Sequence, residues 1–428
     1  MKRRAFLQLG AGAGLGLALG FRRPHAANPA PRTPRRLLLV FAAGGWDTTY
    51  AIDPKDASRA DLPAGAVRRF SGLDVFCDDS RPGVTQLFER HAPLISIVRG
   101  IATDGINHAE CQRRIVTGTR ENNRPDLGAM VAHGVGLALP VPYLILGDIA
   151  YAGPYAASSA RVGATNQIVE LLGGAGAGRP GAEVVEAVPD DVRVLTAEDA
   201  ALRAYSEASL ARARAERGAT GYNRRRVEDF AESIARGDRL RALGNKFGHR
   251  GELLSLDAQV PLALDALEQG LSQTVMLSTR LPWDTHSDNH LQAGYHDVSF
   301  ASVAHLVDEL VRRPGLAAGT KMIDDTVVLF FSEMARGCRV GGEPGHEGKG
   351  HWQYTSAVVI GAGVRGGRTF GSTGPDMLGA KLDLHTGEPS AAGVQPFYAN
   401  FIAGMLELCG IDPATQFPDH EAYDAFVA

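Results

Sequence analysis

Asp284 and His286 stand two residues apart in the loop Ser278-Thr-Arg-Leu-Pro-Trp-Asp-Thr-His286, and carry side-chain types that hold divalent cations. The same types recur at four other places. Gly44-Gly-Trp-Asp47-Thr48-Thr49, Asn107-His108, Ser332-Glu333-Met-Ala-Arg336 and His346-Glu-Gly-Lys349-Gly-His351 each place acids, imidazoles, hydroxyls or cations in a short stretch. A hard or borderline divalent ion draws carboxylate oxygens and imidazole nitrogens from separate loops and leaves positions open for a substrate. Asp-x-His alone is a weak signal. Its value depends on whether the other groups come to the same place.

The elements flanking these groups supply the test. Leu37–Ala42, Leu94–Val98, Val141–Leu146, Thr274–Leu277, Thr326–Phe331 and Ala357–Ile360 are short continuous apolar runs, the pattern of strands buried on both faces of a parallel sheet. Helical periodicity lies between several of them. Val303, Leu306, Val307 and Leu310, for example, predict a helix over 298–312. Strands alternating with helices define an α/β sheet covered on both faces, in which ligands bind beyond the carboxyl ends of the strands. Asp47, His108, Asp284 and Glu333 each follow a run, at that same end, whereas His351 precedes one. Residues 197–247, rich in Ala, Arg and Glu, predict a helical insertion with solvated arginine faces. Gly361-Ala-Gly-Val-Arg-Gly366 has the letters of a phosphate-binding loop without a helix after it. Asp288 and His290 read as ordinary loop residues, and His91, His133, His249, His385 and His420 as structural ones.

Composition sets outer bounds. The 428 residues are 44% hydrophobic and 21% charged with net charge −4, an ordinary globular balance with no global basicity for nucleic acid. Four cysteines allow two disulfides or none. Lys2-Arg-Arg-Ala-Phe-Leu7, a glycine-rich apolar run to Gly20 and small residues at 26–27 predict an export signal over 1–27 of the twin-arginine type. A loose leader is expected over 28–36 and a single α/β domain over 37–428. No later apolar run reaches the ~18 residues a membrane span needs.

Phe41-Ala-Ala-Gly-Gly-Trp-Asp47, His108 through Thr117-Gly118, Trp283-Asp-Thr-His286, Phe331-Ser-Glu-Met-Ala-Arg336, and Gly350-His351 followed by Val358-Val-Ile-Gly-Ala-Gly-Val-Arg-Gly-Gly367 occur in that order. This series resembles the bacterial family catalogued as domain of unknown function 1501, often exported by the twin-arginine route and placed with the alkaline phosphatase and sulfatase superfamily. The resemblance implies an alkaline-phosphatase-like three-layer α/β sandwich, with a mostly parallel central sheet and helices on both faces. It implies a divalent metal (Zn, Ca, Mg or Mn) held by Asp47, Asp284, His286, Glu333 and His351, with Met334 where a further histidine is expected. The nucleophile position, nine residues before Thr117, holds His108 instead of a hydroxyl or thiol, and an imidazole at a helix start can bind metal, hold a substrate anion or act as a catalytic nucleophile. Thr48 and Thr49 are the fallback nucleophiles, and Arg113, Arg114, Arg336 and Lys349 are candidate anion clamps. The expectation is a periplasmic or otherwise exported metal-dependent hydrolase of small or polymer-borne phosphate or sulfate esters. The alternative is a catalytically inactive scaffold acting in binding or envelope assembly.

Overall fold

Six apolar runs predict six buried strands, and each lies in or overlaps a strand of one eight-stranded sheet. The structure, a computed structural model, describes residues 34–163, 196–217, 220–243, 252–341 and 347–428. The proposed export signal and His346 lie outside them. In chain order the strands are β1 (Arg36–Phe41), β2 (Ala66–Phe70), β3 (Leu73–Cys77), β4 (Ile95–Ala102), β5 (Tyr143–Ile145) and β6 (Ser159–Arg161). They continue as β7 (Thr274–Ser278), β8 (Thr326–Phe331), β9 (Ala335–Val340), β10 (Lys349–Trp352), β11 (Tyr354–Gly361) and β12 (Arg368–Phe370). The described helices are α1 (Pro82–His91), α2 (His108–Thr117), α3 (Leu127–Val135), α4 (Thr196–Arg217), α5 (Gly221–Leu243), α6 (Leu256–Glu268), α7 (Leu291–Arg312) and α8 (Tyr398–Leu408).

The large sheet runs β12-β4-β11-β8-β1-β7-β5-β6, and β2–β3 and β9–β10 form separate antiparallel pairs. Among the eight strands β11 alone is antiparallel, to both β8 and β4. Alternate side chains of the central strands enter opposite layers. Leu38, Val40, Val275, Leu277, Val328 and Phe330 pack with α1, α6 and α7, whereas Leu37, Leu39, Phe41, Met276, Leu329 and Phe331 pack with α2, α3 and α8. This is the three-layer α/β arrangement expected, and it gives the sheet a dry interior on both sides. Its first strand begins inside the expected leader: Arg36 is buried and bound to Asp325 and to the Leu267 carbonyl. All four cysteines are free. No helix among the described residues is long and apolar enough to cross a membrane.

Helix α7 starts seven residues before the periodicity suggested, because its first turns bury polar groups. Gln292 and His296, one helical turn apart, are both fully buried. The His296 ring stacks 6.0 Å from Trp46 and lies tilted 5.6 Å from Phe300, with its Nε2 at 3.0 Å from the Asp47 carbonyl. Burial, reinforced by the nearby Arg81 charge, pushes its pKa down to about 3. An unfolded histidine titrates near ~6.5, so between these values the unfolded chain binds a proton that the folded chain refuses. The stability due to neutral His296 is therefore complete above pH ~6.5 and drains away as pH falls toward about 3. Thermal unfolding followed from pH 7 to 4 should show Tm falling. His296→Gln should lower Tm at pH 7 yet flatten that fall, and an unchanged slope would refute the assignment.

Candidate metal centre

The polar loops gather at one end of the sheet. Strands β1, β4, β7 and β8 run the same way, so the loops after them emerge together. Because β11 runs against them, the residues preceding it reach the same end, which is how His351 arrives. The β9–β10 pair, with His351 opposite Arg336, carries it over the mouth.

Four side chains converge there. One donor atom from each of His108, Asp284, His286 and His351 lies within 4.8 Å of all the others. Asp284 is the hub: its Oδ2 is 3.3 Å from His108 Nε2, and its Oδ1 is 3.1 Å from His286 Nε2 and 3.3 Å from His351 Nε2. The two last nitrogens face each other at 2.8 Å. His108 is the first residue of α2, which is capped by the Asn107 side chain accepting from the Glu110 amide. Its Nδ1 lies 2.8 Å from Glu333 Oε1, while its Nε2 is buried without a hydrogen bond. A carboxylate holding one ring N–H fixes the tautomer and turns the other lone pair inward, the arrangement found behind metal-bound histidines.

Local backbone makes the convergence feasible. Gly44 has φ +125°, and a Cβ there would lie 2.6 Å from the Asp284 amide nitrogen. At Gly348 a Cβ would come within 1.7 Å of the His286 carbonyl oxygen. These two glycines let the loops after β1 and before β10 press on the Asp284–His286 loop.

Charges are set by neighbours. Burial opposes ionisation of Asp284, but hydrogen bonds from Arg336 and His351, with the guanidinium charge, hold its pKa at about 2. The Glu333 contact raises the pKa of His108 against the opposing effect of burial. Burial and then the Arg336 charge lower that of His286, favouring a neutral ring. Three imidazoles and one carboxylate with converging lone pairs fit a borderline ion such as zinc, and suit Ca or Mg poorly because those prefer all-oxygen shells.

Several expected positions differ. Glu333 is fully buried behind His108 and is not one of the four converging residues, with its oxygens taken by the Gly44 amide (2.9 and 3.1 Å), Ser332 Oγ (2.9 Å), Gln112 Nε2 (3.4 Å) and His108. Asp47 is likewise buried, and its carboxylate is bound to Thr49, Asn289 and the Lys349 ammonium, outside the cluster. Thr48 is 1% exposed with its hydroxyl enclosed, so it is not presented to a substrate; Thr49 is fully buried and donates to Asp47 at 2.6 Å. Arg336 sits beside the cluster but is fully buried. Its Nη2 donates to Asp284 at 2.5 Å and to the Trp283 carbonyl at 3.1 Å, and its Nε to the Gly45 carbonyl at 2.9 Å. It positions Asp284 and has little left for an anion. Arg113 and Arg114 are engaged with Asn122 and with Glu110 and nearby carbonyls. Asp288 and His290 stay at the surface, His290 near Glu347.

Asn289, Gln292 and His296 are the supporting residues the sequence reading left out. Gln292 accepts from the Asp47 amide at 2.5 Å and donates to the Trp283 carbonyl at 2.8 Å, joining the two loops. The available signal was polar residues at 292 and 296 continuing the apolar stripe of Phe300, Val303 and Val307. A cleft of about 670 Å³ opens beside His351, lined by Arg59, Cys338, Arg339, Trp352, Pro375 and Asp376. The Arg59 charge acts on the Asp56 carboxylate, and Trp352 Nε1 donates to the Met377 carbonyl at 2.9 Å.

The class defined so far is an α/β protein with a strand-end cluster of histidines about a carboxylate. The chain belongs to the family described as protein of unknown function (DUF1501), whose model matches residues 182–425. No curated protein matches it in sequence at a significant level. Among solved structures it is similar to a Vibrio parahaemolyticus protein in the alkaline phosphatase superfamily (10% identity, 89% of this chain, 68% of that one, TM-score 0.40). It is also similar to the soluble domain of lipooligosaccharide phosphoethanolamine transferase A from Neisseria meningitidis (11%, 90% and 91%, TM-score 0.37). A third is the C-terminal periplasmic domain of EcEptC from Escherichia coli in complex with Zn (9%, 89% and 84%, TM-score 0.38). The fold assignment rests on the strand order rather than on these distant likenesses.

If Glu333 orients His108, Glu333→Ala should weaken binding of zinc by ~10–100-fold, read by competition with a chromophoric chelator, in protein with unchanged far-UV circular dichroism. Unchanged affinity would remove Glu333 from this role.

Proposed function

We propose that the protein is an exported, metal-dependent hydrolase of phosphate or sulfate esters, working at the strand-end cluster. The observation that carries the reading is the convergence of His108, Asp284, His286 and His351, with Glu333 behind His108. These four residues would hold the ion. When bound, such an ion polarises an ester oxygen and lowers the pKa of a water at its open position.

The chain's own residues supply the rest. Glu333 keeps the His108 lone pair directed at the cluster, and Arg336 keeps Asp284 ionised across the working pH range. The enclosed hydroxyls of Thr48 and Thr49 favour water over a threonine side chain as the attacking group. The cleft beside His351 suits the remainder of the substrate, with Arg59 facing a negative group and the fixed Trp352 ring offering an apolar wall. Export is the reading of residues 1–27. The same enclosed hydroxyls favour a second reading, a non-catalytic family member that binds an anionic ester or polymer without turning it over.

Screening aryl phosphates and aryl sulfates with added Zn, Mn, Mg and Ca separates the two. The hydrolase reading predicts turnover with zinc or manganese, lost on chelation and reduced by at least ~100-fold in Asp284→Ala and His108→Ala. Metal-loaded wild type without turnover on either ester class would leave the binding role.

A further inference from the structure

The Asp47 carboxylate, expected on a metal, is instead saturated by protein donors. Its Oδ1 accepts from the Thr49 amide (3.1 Å) and hydroxyl (2.6 Å), and its Oδ2 from Asn289 Nδ2 (2.8 Å) and Lys349 Nζ (2.7 Å). Four donors use the four lone-pair directions a carboxylate has. Both charged side chains are 0% exposed. The ammonium also donates to the Asp61 carbonyl at 2.7 Å and lies 4.7 Å from the centre of the Tyr50 ring. It therefore has an anion, a carbonyl and an aromatic face around it and no water-facing side.

We infer that Lys349 is a resident cation that takes Asp47 out of metal ligation, so that the centre holds a single ion. The site offers the donors a second cation would need, but the ammonium already occupies their charge. A metal ion entering there would have to displace a buried, hydrogen-bonded ammonium, leaving it unpaired in a dry interior, which is strongly unfavourable. Lys349 lies two residues before His351 on β10. The ion pair thereby ties the strand carrying His351 to the loop after β1, and Lys349 acts as a positioning residue for that ligand. The inference rests on the metal-centre reading and not on ester hydrolysis.

The test uses full-length chain, stripped with a chelator and then dialysed against Zn²⁺, with metal per chain read by elemental analysis and stability by thermal unfolding. Wild type should retain one ion. Asp47→Asn should retain one ion with affinity changed by no more than a few-fold. Lys349→Met should lower Tm by leaving the Asp47 charge unpaired, and Asp47→Asn combined with Lys349→Met should recover part of that loss. Two ions in wild type, loss of the ion in folded Asp47→Asn, or no recovery in the double variant would overturn the inference. If Lys349→Met fails to fold, the Asp47→Asn metal content decides alone. One ion without ester turnover defeats the hydrolase reading and leaves this one standing, whereas no ion at all defeats both.

Discussion

A carboxylate sealed away from water must be surrounded by donors, and Glu333 imposes that requirement on the end of the sheet where the polar loops gather. Its oxygens collect the Gly44 amide from the loop after β1, the Ser332 hydroxyl from its own loop and His108 from the start of α2. Three chain segments far apart in sequence are thus fixed relative to one another by a single anion. The His108 lone pair aims inward because the opposite ring nitrogen has no other place to go. Removing the carboxylate would leave the Gly44 amide and His108 without this partner and free the α2 entrance to shift.

The three carboxylates of this region do three different jobs, decided by their surroundings rather than their type. Asp284 is about half exposed and meets three imidazoles, so it can serve an ion. Glu333 is buried against one imidazole and three other protein donors, so it orients. Asp47 is buried against an ammonium, so it is a structural anchor whose loop also receives Gln292 and His296 from α7. Arg336 connects the first and third, binding Asp284 on one side and the Gly45 carbonyl on the other. The packing around Trp46, Trp283, His296 and Phe300 keeps water from competing for these bonds.

How much of this was legible in the sequence follows from what each signal measures. Apolar runs such as Leu37–Ala42 and Thr326–Phe331 report burial on both faces, so the sheet and its layers were readable. They carry no information on direction, so the antiparallel course of β11 was not, although it explains why His351 precedes its strand while the other residues of the cluster follow theirs. Residue type located Asp284, His286, His108 and His351. It could not distinguish a carboxylate among three converging imidazoles from one bound to Lys349 or His108, because that depends on contacts hundreds of residues away. Gln292 and His296 were hidden for the opposite reason: polar residues on an apolar helical stripe look like exceptions until the loop they satisfy is in place.

X-ray absorption at the metal edge of zinc-loaded protein tests the central claim most directly. The account predicts a first shell of three imidazole nitrogens with one or more oxygens at ~2.0–2.2 Å, losing one imidazole in His351→Ala. A shell built from carboxylate oxygens alone, or one unchanged in His351→Ala, would contradict it.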